Sequence, residues 1–496
     1  NTVAYPFGFG LSYTDFAIVT KRARINKTKV ILDVEVTNRG EVYSGKEIVQ
    51  VYVSAPQGKL HKEYQSLAGF AKTKTLAPKE RQNVQIVFDM RDLASYEEKT
   101  ASYILDAGEY IVRVGNSSRT NEIAVVVTLD TKVVVSTHCN ICLMKKKLKE
   151  LKSKPYKREE VDIKIPRIAM SSGNFVTITY QYETPSVYSD KKVDAFLNTL
   201  SLKEMVDIIV GIGMYGGKTG FTLPGSVGNT TSKFWKRGLA NVALCDGPAG
   251  LRIQKRSTVE KNGTVKAVEL PMSVFEMLPE FVQGFLKGNP KKHPVVYQYT
   301  TAFPVTAALA QTWNTDLLYE VGKAIYEEMK EYGCTYWLAP AVNIHRNPLC
   351  GRNFEYVSED PLLTGEVATA LTKGIQQEKG FYVTVKHFAC NNMEENRNRV
   401  SSNVSERALR EIYLRGFECV VRKGHAKGIM TSYNKVNGVY TSNSYDLCTK
   451  VLRNEWGFEG VVMTDWFATN KGLADNALAV KAGNDLMMPG SKHNKK

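Results

Sequence analysis

Gly460-Val461-Val462-Met463-Thr464 is a short apolar run that stops at Asp465, with Trp466 directly behind it. Four more stretches have the same form. Val242-Ala243-Leu244-Cys245 ends at Asp246, and Thr335-Tyr336-Trp337-Leu338-Ala339 ends at Pro340. Tyr382-Val383-Thr384-Val385 ends at Lys386-His387, and Gly428-Ile429-Met430-Thr431 leads to Tyr433. Amphipathic spans at 315–332, 361–379 and 405–423 lie between them. Continuous apolar runs mark parallel strands buried on both faces, and helices of this length suit the crossovers between them. Polar residues fall repeatedly just past the strand ends. In a (β/α)8 TIM-like barrel that face carries the active site, because the βα loops converge there. A doubly wound open sheet places ligands at the same ends, but no phosphate-binding P-loop supports a nucleotide site. The barrel is the preferred architecture.

Upstream the texture differs. Val30 to Val36, Ile48 to Val53, Val84 to Phe88 and Tyr110 to Val114 alternate apolar with polar residues. Asn38-Arg39-Gly40, Pro78-Lys79-Glu80 and Asp106-Ala107-Gly108 punctuate them as turns. Period two at this spacing predicts an antiparallel β-sandwich of immunoglobulin type. The expected division is a sandwich over 1–130, a basic connector over 131–185 and the barrel over 186–496. Ser201 and Glu204 open a helix in the last part as a capping-box-like pair.

A length of 496 residues suits two or three domains, and a 43% apolar content suits packed cores. The net charge of +16 is partly concentrated at 145–158 (KKKLKELKSKPYKR), which reads as a solvated helix or linker. No nucleic-acid-binding motif accompanies it, so no nucleic-acid partner is expected. No uncharged apolar stretch approaches the ~18 residues of a membrane span. The opening residues lack the layout of a secretory signal, which makes the expected location cytoplasmic. Eight cysteines in this length do not form a disulfide framework. Cys139 and Cys142, beside His138, lack the second ligand pair of a structural zinc site and read as reduced thiols.

Asp465, ionised and held beside an aromatic ring, has the attributes of a nucleophile at an anomeric carbon. It could equally cap the next helix or pair with Lys386. Lys386 and His387 could donate to sugar hydroxyls, or belong to a salt-bridge network. Asp246 could accept two sugar hydroxyls, or serve only the turn before Gly247-Pro248. Arg352 could bridge a hydroxyl and a carboxylate, or pair structurally with Glu355 or Glu359.

Together these residues match a family. Asp-Gly-Pro-Ala-Gly-Leu-Arg (246–252), Gly-Arg-Asn-Phe-Glu-Tyr (351–356), Lys-His-Phe-Ala (386–389), Met-Thr-Ser-Tyr-Asn (430–434) and Val-Met-Thr-Asp-Trp (462–466) resemble, in order, the barrel of glycoside hydrolase family 3. Ala-Gly-Asn-Asp-Leu-Met-Met-Pro-Gly (482–490) resembles its last barrel strand. Tyr-Pro-Phe-Gly-Phe-Gly-Leu-Ser-Tyr-Thr-Asp-Phe (5–16) resembles the start of its fibronectin type III-like domain. The resemblance implies a retaining, exo-acting β-glucosidase acting on β-glucosides or oligosaccharides. Asp465 would be the nucleophile. Asp246, Arg352, Lys386, His387 and Tyr433 would hold the sugar, with Met430 and Trp466 lining the subsite. No metal or organic cofactor is implied, since two carboxylates and water suffice.

Two departures qualify this. The fibronectin-like domain usually follows the barrel and an α/β sandwich; here it comes first, as in a circularly permuted member. The sandwich, which carries the acid/base glutamate in multidomain members, is not in this chain. The His–Asp route of the family's N-acetylglucosaminidases follows Lys-His-Phe-Pro-Gly, where this chain has Lys386-His387-Phe388-Ala389-Cys390. The expectation is one piece of a longer or split enzyme, completed by a second polypeptide bearing the sandwich. The rivals are a β-xylosidase and a non-catalytic carbohydrate-binding protein.

Overall fold

The computed structural model describes the chain except residues 1–2, 146–147, 150–159, 183–189, 214–222, 263, 270–278, 280, 283, 285–286, 491–492 and 496. Most of the basic run at 145–158 therefore lies outside the described residues. Two compact bodies form. The first comprises residues 1–140, 146–181 and 405–411; the second comprises 141–145, 182–404 and 412–496.

The first body is built on alternation. In Lys29–Asn38 the side chains of Val30, Leu32, Val34 and Val36 are fully buried, while their neighbours reach outward. This strand pairs antiparallel with Phe16–Asn26 and Arg81–Asp89. A five-stranded sheet runs Arg167–Met170, Asn121–Leu129, Gly108–Gly115, Ile48–Ser54, Ser66–Lys72. Valines 49, 51, 53, 112, 125 and 127 from this sheet join the buried faces of the first in one core. Two sheets, antiparallel except where Arg167–Met170 pairs parallel with Asn121–Leu129, share a core of inward-facing residues and make a β-sandwich, and all four alternating runs of the sequence are strands in it. The segment Ser405–Glu411 completes one corner. Tyr96 donates its hydroxyl to Glu406 at 2.8 Å, and the Arg410 guanidinium lies 4.8 Å over the Tyr96 ring.

In the second body the five apolar runs all contribute parallel strands. Ala243–Cys245, Tyr336–Trp337 and Tyr382–Val383 pair in one sheet; Val385–Phe388, Gly428–Thr431 and Val461–Thr464 pair in another. Single parallel bridges extend the pairing at Ala341–Lys386, Met463–Leu486 and Val210–Met487. Leu244, Tyr336, Leu338, Met430, Met463, Leu486 and Met488 form the core beneath them. The closed (β/α)8 barrel expected from the sequence is not what the described residues show. The strands are only two to four residues long. The ladder also shifts register between Val385 and Phe388, and Ile212–Gly213 and Gly228–Asn229 pair antiparallel at one edge. Closure needs a continuous stagger around the ring, and these interruptions split it into sheets.

Thr315–Tyr332 is a helix over the predicted span, with Asn314 accepting from the Leu317 N–H and Gly333 closing it at φ 72°. Pro361–Ile375 starts behind Asp360, which accepts from Leu363 N–H. The predicted span 405–423 divides: Glu406–Ala408 and the wider-wound turn Leu409–Tyr413 precede the α-helix Arg415–Gly424. Thr315–Tyr332 and Pro361–Ile375 meet at paired glycines. A Cβ on Gly322 would lie 2.5 Å from Leu371 O, and one on Gly374 would lie 2.2 Å from Tyr319 O. Gly→Ala in an open helix gains about 1 kcal/mol. At Gly322 the sign is expected to reverse, with Gly322→Ala costing about 1–3 kcal/mol. A lowered melting temperature of the purified chain checks it; an unchanged or raised one would show that the helices can separate without loss.

Candidate active site

The strand ends bring the candidate polar residues together in two linked groups. Asp246 immediately follows Ala243–Cys245, and Lys386 lies within Val385–Phe388. The Lys386 ammonium is 4% exposed, 3.1 Å from Asp246 Oδ1 and 3.8 Å from Glu355 Oε2. Arg352 donates from Nε to Glu355 Oε1 at 2.5 Å, and Arg252 pairs with the other oxygen of Asp246. Burial opposes ionisation of Asp246, but the Lys386 and Arg252 charges outweigh it and hold its carboxyl at about 2.

The second group centres on Asp465, one residue past Val461–Thr464. Its Oδ1 accepts from Trp466 N–H at 2.7 Å. Its Oδ2 is buried without a hydrogen bond, 3.8 Å from His387 Nε2, which is beyond hydrogen-bonding reach. His387 Nδ1 is likewise buried without a partner. Burial raises the Asp465 carboxyl above the ordinary aspartate value. Arg352, Lys386, the Trp466 N–H and Tyr433 oppose this without cancelling it. Burial, followed by the charges of Arg352, Lys386 and Arg397, drives the His387 imidazole well below its usual value, so it is neutral. Tyr433 donates to Trp466 O at 2.8 Å, and Trp466 Nε1 donates to Val227 O at 3.0 Å, which fixes the indole. Met430 is 2% exposed and packs in the core below.

Buried polar atoms without partners are rare and call for an explanation. Asp465 Oδ2 and the neutral His387 ring can take a polar ligand: the carboxylate accepts a hydroxyl or attacks an electrophilic carbon, while the cations meet further oxygens.

Sequence reading passed over three residues. Asn343 brackets the His387 peptide, donating to its carbonyl at 2.9 Å and accepting from its N–H at 2.8 Å. Arg397 lies 4.4 Å over the Tyr433 ring. Arg252 stood within a quoted motif without a role. Asn343 and Arg397 sit in loops with no periodic signal, so only the fold reveals them. Among the described residues no group of three or more His, Cys, Asp or Glu side chains has a metal-site arrangement. All eight cysteines are free, and no described helix is long and apolar enough to cross a membrane.

Residues 293–496 match the model of the glycosyl hydrolase family 3 N-terminal domain, and residues 47–118 that of a fibronectin type III-like domain. Beta-glucosidase A of Butyrivibrio fibrisolvens is 36% identical over 98% of this chain and 58% of its own length. The solved structure of a beta-glucosidase from Paenibacillus barengoltzii aligns with a TM-score of 0.75 at 34% identity, over 98% of this chain and 52% of that one. An exo-alpha-(1->6)-L-arabinopyranosidase of Bifidobacterium breve is 48% identical over 38% of this chain and 25% of its own length. The chain thus spans little more than half of the first two and a quarter of the third. Its residues 293–496 thus match a glycosyl hydrolase family 3 N-terminal domain, with a match to a fibronectin type III-like domain ahead of them, and the chain is similar along nearly its whole length to proteins named beta-glucosidase.

Proposed function

We propose that the strand-end site hydrolyses β-glucosides from their non-reducing end with retention, through a glycosyl-enzyme on Asp465. The observation that carries this reading is the unbonded Asp465 Oδ2, buried beside the neutral His387 and within the field of Arg352 and Lys386. The similarity to β-glucosidases supplies the substrate class. Asp246, Arg352, Lys386, His387 and Tyr433 would hold the sugar's hydroxyls, with Met430 and Trp466 shaping the floor and wall. The parallel strands of the two sheets and their bridges would act as a shortened barrel that gathers these ends.

A general acid must carry a proton near the working pH. Asp246, held at about 2, does not, and Glu355 is committed to two cations. The acid/base is proposed to lie beyond these 496 residues, on an α/β sandwich domain of the same or a second polypeptide. The arabinopyranosidase relative favours one rival: a pentopyranoside substrate, the class to which β-xylosides also belong.

Aryl glycosides with good leaving groups need little protonation, so they test the nucleophile even without the acid/base. Aryl β-glucoside is expected to be cleaved faster than aryl β-xyloside or aryl α-L-arabinopyranoside; the reverse order would move the substrate to the pentoses. Asp465→Ala is expected to lower the rate by about three orders of magnitude or more. Azide should then restore turnover and give the α-glucosyl azide. Full activity in the variant would remove Asp465 from the chemistry, and sugar binding without turnover would favour the carbohydrate-binding reading.

The pH profile supplies an independent check. The attacking form of Asp465 is the carboxylate, and burial raises its pKa, so protonation disables it sooner as pH falls. The acid limb of kcat/KM on the aryl glucoside is expected above the ordinary aspartate value of about 3.9. A limb at or below that value would contradict it.

A further inference from the structure

The two cations that act on Asp465 converge on one anion. Glu355 is 3% exposed; its Oε1 accepts from Arg352 at 2.5 Å, and its Oε2 faces the Lys386 ammonium at 3.8 Å. A carboxylate withdrawn this far from water is costly unless paired, and here each oxygen serves a different cation. A tight turn keeps the geometry short. Glu355 N–H donates to Arg352 O at 3.0 Å, and Asn353 N–H to Cys350 O at 3.1 Å, so Glu355 and Arg352 move as one piece. Lys386 comes from a separate strand and is aimed between Glu355 and Asp246.

We propose that Glu355 is a positioning residue of the site: it directs Arg352 and Lys386 and moderates the positive charge that they deliver to Asp465. This rests on Asp465 being the attacking carboxylate. Arg352 and Lys386 are the cations whose charge reaches Asp465, while Asp246 is already shared between Lys386 and Arg252. His387 is neutral, Tyr433 keeps its proton, and Arg397 stacks on Tyr433.

Two variants separate charge from shape. Glu355→Gln keeps an oxygen for Arg352 but removes the negative charge. Asp465 then faces less neutralised cations, its ionised form is favoured, and the acid limb moves to lower pH. Glu355→Asp keeps the charge but shortens its reach, so the limb stays in place while the cations lose their aim.

The experiment is the pH dependence of kcat and KM on an aryl β-glucoside for the full chain and both variants, with melting temperatures recorded. The expected result is an acid limb lower by about half a pH unit or more in Glu355→Gln. In Glu355→Asp, kcat/KM should fall by about tenfold, mainly through KM. Where Glu355→Gln does not fold, the KM of Glu355→Asp decides. A merely structural glutamate would lower the melting temperature but leave limb and KM unmoved, which would overturn the proposal. A wild-type chain that neither cleaves nor binds the glucoside overturns the functional reading itself, and this inference with it.

Discussion

An ammonium buried to 4% exposure between two carboxylates is the constraint on which the site is organised. Removing Lys386 from water is affordable only while Asp246 and Glu355 stay within reach. These partners come from three parts of the chain: a strand end, a tight turn and a second strand. Loss of either carboxylate would leave a buried charge with half its compensation, so the three segments are held in mutual register. The same cation reaches Asp465 through space and favours its ionised form, opposing what burial does. One interaction therefore fixes positions and tunes the ionisation of the Asp465 carboxyl together.

Beneath that polar layer the construction is apolar. Leu244, Met430, Met463, Leu486 and Met488 fill the space below the strand ends, so the polar groups stand on a floor that cannot hydrogen-bond to them. Their remaining valences are satisfied sideways: by Trp466 N–H for one Asp465 oxygen, and by Asn343 for both backbone groups of His387. Asp465 Oδ2 and His387 Nδ1 are left buried without a hydrogen-bond partner.

The strand ends were legible because Asp246, Lys386 and Asp465 each directly follow an uninterrupted apolar run, a pattern that survives without knowing the fold. Thr315–Tyr332 was legible as an amphipathic span, and in the structure Asn314 and Gly333 close its two ends. The helix predicted to reach residue 379 stops at Ile375, where Gln376 leaves helical geometry at ψ 44°. The run at 382–385 divides because Thr384 N–H donates to both Trp337 O and Ala339 O, which shifts the ladder. A regular barrel could not be tested by periodicity, since stagger and closure are properties of pairing between strands distant in sequence. The ion pair of Arg352 with Glu355, one of two structural alternatives weighed for that arginine, is present. Its second arm to Lys386 spans 31 positions of sequence and has no local signature.

The corner of the sandwich at Tyr96 has a bearing on biosynthesis. Its hydroxyl partner, Glu406, and the guanidinium over its ring, Arg410, are encoded some three hundred codons later. A nascent chain emerges N-terminus first, so the strands of this sandwich leave the ribosome long before that corner can be completed. The buried Tyr96 must wait while most of the second body is translated. Translation pauses or early termination before Arg410 would therefore leave a sandwich with an open seam, even though every one of its strands had been made.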